Sequence, residues 1–401
     1  QSGGMYFATD HRYMIYNDDN ISEDPVMYIG MDSHGLVQAA PRNSCKTLLD
    51  LCCGSGIQGI VASRYAKSIL GVDLNPRAIR FARFNAQLNG LTNYKVVLGN
   101  LYDVIGDEKF DVILANPPFV PSPQNNLGFR DGGKNGEEVL RNIISNSPRF
   151  LNKNGRLCIV TDLVDVKKYE KKIRDWLGKN ELDCLILKTA ERNEILFSVP
   201  HCKAPFNQTF KEYNQEIDLW INNFRSNSLN SVNFGYIFLW NKTNNKEGSY
   251  ASRTIHNPDI EIYNDVNKWQ EQQARWFCED SSEMFICINP KIKLSTSQEL
   301  GSENIKYQLS IDDNPFFTKY SITDYIHQEL LSISKFSPMK KEIKSNDISW
   351  LKELHKLGLV TLEYNKKKIT SEFKNQFPIR DQQLVEHETK TTPTCLTSYL
   401  K

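Results

Sequence analysis

Apolar and polar positions follow two different patterns in the first half of the chain. Between residues 47 and 188, short apolar runs are separated by longer stretches whose apolar residues recur every three or four positions. The short runs are typical of buried strands, and the longer stretches are typical of amphipathic helices. Strands that alternate with helices favour a parallel sheet covered on both faces. Strands are predicted at 47–51, 68–73, 94–99, 111–115, 155–161 and 183–188, and helices at 56–66, 76–90, 136–151 and 166–178.

The pattern beyond residue 188 is less regular. An apolar run at 231–240 predicts the last strand of the sheet, so residues 189–230, which contain a helical pattern, are interpreted as an insertion. The polar stretch 241–256 is typical of a linker, and residues 257–300 show no assignable pattern. Further on, a strand is predicted at 306–311 and helices at 321–334 and 346–358, with Ser321 and Asn346 as their N-caps.

These patterns divide the chain into four regions. Residues 1–4 are interpreted as the remnant of a cleaved tag, and residues 5–46 as an N-terminal lead-in or lid. An α/β core with the insertion follows at 47–245, and residues 257–401 are expected to form an α+β accessory region. Since parallel sheets bind ligands at the carboxyl ends of their strands, we expect the functional site where the core strands end.

Composition narrows the possible partners. The 401 residues include 49 Lys and Arg and 48 Asp and Glu, for a net charge of +1. Dedicated nucleic-acid binding is therefore less favoured, because it normally requires a basic excess. No apolar run reaches the roughly 18–20 residues that span a bilayer, so no membrane segment is expected. The nine scattered cysteines lack a C-x-x-C pair, and the histidines lack metal spacing. We therefore expect no metal, reduced thiols and a cytoplasmic location.

A glycine turn follows the first predicted strand in LLDLCCGSGIQGI. The strand leads to Asp50, then to Gly54, Ser55 and Gly56, and then to a helix. Glycines let a ligand approach the backbone closely, and the helix start offers free N–H groups. The spacing does not match a phosphate-binding P-loop. Alone, this motif indicates a nucleotide-type ligand only weakly.

An acidic residue, Asp73, ends the next predicted strand in GVDLNP. A carboxylate at this place can accept hydrogen bonds from both ribose hydroxyls of a nucleoside. The alternative is that Asp73 caps the helix that begins at Pro76. Combined with the glycine turn, Asp73 favours a nucleoside-bearing cofactor, although these two motifs also fit an NAD enzyme.

The strand at 111–115 runs directly into Asn116-Pro117-Pro118-Phe119. Two prolines cannot continue a strand ladder and restrict the backbone, so Asn116 should be held rigidly at the strand end. A strand that merely ends in a proline turn is the alternative interpretation. In this order and spacing, the three motifs resemble motifs I and II and the (N/D/S)PP(Y/F) motif of amino-methylating class I methyltransferases that use S-adenosylmethionine (SAM).

The resemblance implies a catalytic role for Asn116, Pro117 and Phe119. In that family the Asn side chain and the first Pro carbonyl accept hydrogen bonds from a planar NH2, and the aromatic ring stacks on the group that carries it. The lone pair of an amide nitrogen is delocalised, so two well-placed acceptors favour its alignment with the sulfonium methyl. A strong general base is not required, because the proton can leave late.

Flanking segments resemble the HemK-like family, and most closely its protein-glutamine N-methyltransferase branch. These segments are IGMDSHGLVQAA at 29–40, VPSP after Phe119, and GFRDGGKNGEEVLRNII at 128–144. The match covers roughly 29–188 and implies a Rossmann-like class I core with a seven-stranded, mostly parallel sheet. SAM is the implied cofactor and S-adenosylhomocysteine its product. The implied cofactor-binding residues are Asp32, Asp50, Cys52, Gly54, Ser55, Gly56, Asp73, Leu74, Asn100, Leu101 and Asn116.

The chain departs from this family in several ways. Phe119 stands where Tyr is usual, Asn100 stands where Asp is usual, and both the insertion and the C-terminal region are extra. Arg130 and Asp131 are candidate acceptor contacts, the alternative being a surface ion pair.

We therefore predict methylation of an amide or amine nitrogen in a protein or peptide, as in glutamine methylation. Three alternatives remain open. The acceptor could be a small or carrier-bound natural-product intermediate, methylated on nitrogen, oxygen or carbon. It could be a nucleic-acid base amine reached by base flipping. The chain could also be a SAM-binding scaffold without activity, although the intact NPPF motif argues against that.

Overall fold

The computed structural model describes the ranges 4–11, 15, 24–124, 126–202, 209–241, 248–255, 262–275, 284–289, 292–313, 316–334, 340–342 and 349–364. The chain divides into two units, Gln1–Tyr250 and Ala251–Lys401. Among the described residues, no helix is long and apolar enough to cross a membrane.

The first unit is built on a mostly parallel sheet. Its strands are β1 (Cys45–Leu51), β2 (Ala66–Asp73), β3 (Tyr94–Leu98), β4 (Phe110–Ala115), β5 (Leu151–Val164), β6 (Asp183–Arg192) and β7 (Val232–Trp240). They lie in the order β3-β2-β1-β4-β5-β7-β6. Only β7 among these seven runs antiparallel to its neighbours. The predicted Rossmann-like core with seven strands is therefore confirmed.

The helices of this unit are α1 (Met31–Ala39), α2 (Ile57–Ala62), α3 (Pro76–Leu88), α4 (Glu138–Phe150), α5 (Tyr169–Leu177), α6 (Glu194–Ser198) and α7 (Phe210–Ser226). Four of the helices lie within the predicted helical stretches 56–66, 76–90, 136–151 and 166–178, a fifth forms the helical pattern of the predicted insertion, and those at Met31–Ala39 and Glu194–Ser198 were not predicted. Helix α3 begins as expected with Pro76 in its first turn, and Asn75 caps it by accepting from the Arg77 N–H at 2.8 Å. Helix α7 begins with a capping box in which Thr209 and Glu212 satisfy each other's backbone N–H groups.

Two predicted boundaries change in the second half of the sheet. Strand β5 is twice as long as its predicted apolar run at 155–161, because it pairs with β7 from Arg156 to Val164. Strand β6 extends to Arg192, so the first residues of the predicted insertion 189–230 belong to the sheet. The rest of that insertion supplies α6 and α7.

The main core of the first unit lies between the sheet and the helices that follow β4 and β5. Leu49 of β1 and Ile113 of β4 are fully buried against Ile143 and Ile144 of α4 and Ile173 of α5. Burying such side chains stabilises the fold by about 1.5–3 kcal/mol each. This core fixes the central strands whose carboxyl ends carry the predicted site residues.

The second unit has two antiparallel sheets and its own apolar core. Its strands are β8 (Tyr250–Ile255), β9 (Met284–Ile288), β10 (Lys293–Gln298), β11 (Ile305–Asp313), β12 (Phe316–Ile322), β13 (Lys340–Glu342) and β14 (Val360–Tyr364). Strands β8, β12, β11 and β10 pair in that order, and β9 pairs with both β13 and β14. Its helices are α8 (Tyr263–Arg275), α9 (Asp324–Ser334) and α10 (Ser349–Lys356).

Two predictions about this unit are wrong. Residues 250–255 of the expected linker 241–256 form strand β8, because their buried and half-buried side chains alternate along the strand. Ser321 does not cap a helix, since it pairs with Gln308 inside the β11–β12 ladder. Helix α9 starts three residues later, where Thr323 Oγ1 accepts from the Ile326 N–H at 3.3 Å. Asn346, the other expected cap, lies outside the described residues.

Candidate active site

The loop between β1 and α2 forms the floor of the site. Cys52, Gly54 and Gly56 all have positive φ, at 54°, 54° and 86°, and Gly56 is the residue from which α2 starts. The turn is held to the sheet because the Cys53 N–H donates to the Val72 carbonyl at 3.1 Å. A Cβ at Gly54 would meet nothing within 4 Å, so the loop borders open space. A ligand can therefore approach this backbone closely.

Asp73, at the end of β2, fixes this loop. Its Oδ2 accepts from the Gly54 N–H at 2.8 Å, and its Oδ1 accepts from the Asn75 N–H at 2.9 Å. Burial raises the pKa of Asp73, and these backbone hydrogen bonds act in the opposite direction. The alternative interpretation of Asp73 as the helix cap is wrong, because Asn75 has that role. Leu74, beside it, is 70% exposed.

Asn100 and Leu101 lie at the same edge of the sheet as Asp73. The Gly99 N–H donates to the Asp73 carbonyl at 2.9 Å, which joins the end of β3 to the end of β2. Asn100 is exposed and donates to Asp103 Oδ2 at 3.3 Å, and Leu101 has a φ of 47°. The structure thus brings both residues beside Asp73, and their contact with a cofactor stays a prediction.

Asp50 is buried beneath the glycine turn. Its Oδ2 accepts from the Gly59 N–H at 2.8 Å and from the Tyr94 hydroxyl at 3.1 Å. Burial raises the pKa of Asp50 to about 7, against these two hydrogen bonds. The carboxyl group therefore ties β1, α2 and β3 together, and its direct contact with a cofactor stays a prediction.

The N-terminal lead-in lies along α3 and reaches the same loop. Asn85 donates through Nδ2 to the carbonyls of Ala8 and Ser55, both at 2.8 Å, and its Oδ1 accepts from the Ala8 N–H at 2.7 Å. Asn75 donates to the Asp24 carbonyl at 3.0 Å. Through these contacts, the described lead-in residues lie beside the β1–α2 loop on the side of Asp73. Sequence reasoning missed Asn85, because an Asn inside a helix carries no local signal of a distant partner.

Asn116 follows the end of β4, and the two polar atoms of its side-chain amide differ in their hydrogen bonding to the described residues. Its Nδ2 donates to Asp32 Oδ2 at 3.2 Å and to Ser33 Oγ at 3.4 Å, both on α1. Its Oδ1 is buried and accepts no hydrogen bond from the described residues. Leaving a buried acceptor unsatisfied costs about 1–3 kcal/mol. Such a group calls for a donor from outside the described residues, such as an ordered water or a ligand.

The Pro117–Phe119 segment is held by the glycine-rich loop that follows it. The N–H groups of Phe119 and Val120 both donate to the Arg130 carbonyl, at 3.1 and 2.9 Å. A Cβ at Gly132 would lie 2.8 Å from Phe119 Cα, so this loop approaches too closely for a larger residue. The GGKNG sequence therefore serves to hold the segment after Asn116 in place.

Comparisons with known proteins match the part of the chain that contains this site. Residues 29–184 match the family model described as methyltransferase small domain. The methyltransferase domain of the chain is therefore defined by its similarity to this family over residues 29–184. It contains every one of the predicted catalytic and cofactor-binding residues.

Curated relatives of the methyltransferase domain carry related names. A putative protein N5-glutamine methyltransferase of Methanocaldococcus jannaschii is 39% identical over 27% of this chain and 58% of its own length. A ribosomal protein L11 methyltransferase of Clostridium botulinum is 39% identical over 26% of this chain and 36% of its own length. A ribosomal protein uL3 glutamine methyltransferase of Bradyrhizobium diazoefficiens is 30% identical over 38% of this chain and 52% of its own length. The chain thus spans between about a third and three fifths of these proteins.

An ion pair at the ends of β5 and β6 also borders the methyltransferase domain's site. Asp162 is 3% exposed in its side chain and accepts from Arg192 at 2.5 Å. Burial, opposed by Arg192 and supported by the nearby Asp32, raises the pKa of Asp162 to about 6. Sequence reasoning missed this pair, although both residues follow apolar runs and could have been recognised as charged strand ends.

Arg130 and Asp131 pair with each other, but not at the surface. Arg130 Nε donates to Asp131 Oδ1 at 2.7 Å, and the two side chains are 15% and 0% exposed. Asp131 Oδ2 also accepts from the backbone N–H groups of Asn126 and Leu127, both at 2.9 Å. The expected surface ion pair is therefore wrong, and the pair shapes the loop next to the Pro117–Phe119 segment.

Proposed function

We propose that this chain transfers the methyl group of SAM to a planar amide or amine nitrogen of a protein or peptide, as in glutamine methylation. The observation that carries the proposal is the Asn116 side chain, whose Nδ2 is engaged by Asp32 and Ser33 while its Oδ1 is buried without a partner among the described residues. An amide acceptor would supply the missing donor.

The residues at the end of β1 and β2 fit SAM. The open space at Gly54 leaves room for its methionine part, and the helix start after Gly56 offers free N–H groups. Asp73 would accept from the ribose hydroxyls, and Asn100 and Leu101 would border the adenine. SAM supplies an electrophilic methyl group on a sulfonium ion when it is bound.

On the acceptor side, the protein would act by positioning the nitrogen that receives the methyl group. Asn116 Oδ1 and the Pro117 carbonyl would each accept one N–H of the acceptor nitrogen, and the Phe119 ring would stack on the planar group that carries it. Acceptors fixed in advance favour the charge that develops on nitrogen and keep its lone pair aligned. Asp32 would act through Asn116, by keeping the amide oxygen rather than the amide nitrogen available.

A protein or peptide acceptor is supported by the names of the relatives that act on glutamine in proteins. The net charge of +1 gives no support for nucleic acid. We propose that residues 257–401, which contain a separate core around Leu309, Ile333 and Leu354, form an accessory region. A cytoplasmic location is supported by the six described cysteines that are free thiols.

The proposal is tested by incubating the full chain with methyl-labelled SAM and a panel of acceptors. The panel contains glutamine peptides, lysine peptides, peptides with free N-termini, carrier-bound small molecules and oligonucleotides. We expect label on a side-chain amide nitrogen, located by fragmentation mass spectrometry. Label on an oxygen, a carbon or a nucleic-acid base would replace the proposal with one of the alternatives. SAM binding without label on any acceptor would favour a scaffold.

A further inference from the structure

Five side chains from three segments form a continuous stack beside the Pro117–Phe119 segment. Arg192 lies over the Phe197 ring, with its guanidinium carbon 5.0 Å from the ring centre. Phe197 stacks on His201 at 4.3 Å, and His201 stacks on Trp220 at 5.3 Å. Arg130 lies over the other end, 5.3 Å from the Trp220 ring centre. The order is therefore cation, three rings, cation.

Each end of this stack is anchored to the methyltransferase domain by a buried carboxylate. Arg192 pairs with Asp162 of β5, and Arg130 pairs with Asp131. The rings come from α6, the turn after it, and α7, which all belong to the insertion between β6 and β7. Arginine over an aromatic ring is attracted by the negative face of the ring, and the attraction is stronger when the contact is desolvated. The stack thus connects the insertion to two points near Asn116.

His201 in the centre of the stack is suited to lie between two arginines. Its Nδ1 lies 2.6 Å from the Phe197 carbonyl, which the Nδ1–H tautomer satisfies. Burial lowers the pKa of His201 to about 4, and Arg130 and Arg192 lower it as well. The ring is therefore neutral at pH 7 and adds no repulsion to the two cations.

Arg130 links this stack to the acceptor side through its own backbone. Its carbonyl accepts from both Phe119 and Val120, while its side chain rests on Trp220. Phe119 and Val120 also pack in the same apolar cluster as Phe197 and Trp220. The position of Arg130 therefore determines where the backbone of Phe119 lies.

We propose that Trp220, His201 and Arg130 are positioning residues, which hold the Pro117–Phe119 segment in its working geometry through the Arg192–Phe197–His201–Trp220–Arg130 stack. The assignment of an acceptor role to Phe119 rests on the proposed function, but the mechanical link does not. In this proposal the insertion, residues 189–230, contributes to the acceptor side of the active site.

Hydrogen exchange measured by mass spectrometry tests this link without any acceptor. In residues 116–124, Pro117, Pro118, Pro121 and Pro123 have no N–H, so a peptide that begins at Asn116 reports four backbone amides, those of Phe119, Val120, Ser122 and Gln124. Arg130→Met and Trp220→Leu should each accelerate exchange at Phe119 and Val120 by about tenfold, the size expected for losing a desolvated cation–π contact. SAM affinity, measured by calorimetry, should stay within about twofold, since no stack residue borders the glycine turn.

Arg149→Met is the matched control, because Arg149 also lies 5.3 Å over a ring, that of Phe150, and pairs with Asp107. It should leave exchange in the 116–124 peptide unchanged. Arg130→Lys and Trp220→Phe keep a cation and a ring, and they should restore most of the protection. Protection from exchange in a β1 peptide shows whether each variant is folded. If Trp220→Leu does not fold, the result for Arg130→Met alone decides the test.

Unchanged exchange at Phe119 and Val120 in folded Arg130→Met would overturn the proposal. Equal acceleration in Arg149→Met, or no recovery in Arg130→Lys and Trp220→Phe, would also overturn it by showing an ordinary packing effect. When an acceptor is identified, kcat should fall in Arg130→Met with little change in the KM for SAM. Accelerated exchange in a chain that methylates none of the acceptor panel would retain the stack as a positioning element and reject the proposed function.

Discussion

Asp32 and Asn116 are 84 residues apart in the chain, and their side chains meet with Oδ2 and Nδ2 at 3.2 Å. An amide can present either its oxygen or its nitrogen to a ligand. Burial raises the pKa of Asp32, whereas the hydrogen bond from Asn116 lowers it. In its ionised form Asp32 accepts hydrogen bonds and does not donate them, so it selects the orientation in which the amide oxygen stays available. Helix α1, through Asp32, therefore determines that Asn116 at the end of β4 presents its amide oxygen to a ligand.

The Asp32–Asn116 contact predicts the effect of Asp32→Asn. The new amide can both donate and accept, so it no longer selects one orientation of Asn116. We expect kcat at saturating SAM to fall by about 10- to 100-fold, the size of a lost positioning contact. Steady-state kinetics on an acceptor identified by the labelling panel measures this. Asp175→Asn, at an exposed position of α5, is the matched control. An unchanged kcat would show that Asp32 does not orient Asn116.

Asp73→Ala is expected to weaken SAM binding. The substitution removes the predicted ribose acceptor and releases the Gly54 N–H that holds the glycine turn. We expect the Kd for SAM to rise by about 10- to 100-fold, as for a lost hydrogen bond to a charged group. Isothermal titration calorimetry gives the Kd directly, with Asp107→Ala as an exposed control. If affinity stays the same, Asp73 does not bind the ribose.

The buried carboxyl of Asp50 predicts a pH dependence of stability. Its folded-state pKa of about 7 lies above the ordinary value, so the folded state favours the protonated form. Its stabilising contribution is therefore complete below the ordinary carboxyl pKa and is lost as the pH rises through about 7. Asp162, with a pKa of about 6, acts in the same direction.

We expect Asp50→Asn to flatten the fall in Tm between pH 5 and pH 8, because an Asn oxygen can accept from Gly59 and Tyr94 without becoming charged. Differential scanning calorimetry of the SAM-free protein measures this slope. Asp111→Asn is the control, since hydrogen bonds hold the pKa of Asp111 below its usual range, although burial acts against them. Equal slopes in the wild type and Asp50→Asn would mean that Asp50 does not titrate in this range.

Sequence patterns predicted the features that depend on neighbouring residues. The strand ends at Asp50, Asp73 and Asn116 are recognisable because an apolar run leads to a polar residue and then to a turn. Contacts between distant segments leave no such signal. The orientation of Asn116 by Asp32 and the stacking of Arg130 on Trp220 depend on the tertiary fold.

The second unit shows the same division. Strand β11 was predicted from its apolar alternation, whereas β8 was mistaken for a linker, since its sequence YASRTI contains many polar residues. Ser321 was placed at a helix start because serine favours that position, but pairing with β11 overrides this local preference.

The proposed role of Asn116 is tested by single-turnover methyl transfer with the Asn116→Ala variant. The measurement uses tritiated SAM and a glutamine peptide that the wild type methylates, with Asn146→Ala, an exposed position of α4, as the control. We expect a transfer rate at least about 100-fold lower in Asn116→Ala, as for the loss of a preorganised transition-state contact. We also expect a Kd for SAM close to that of the wild type. A wild-type transfer rate in Asn116→Ala would show that Asn116 does not position the acceptor nitrogen.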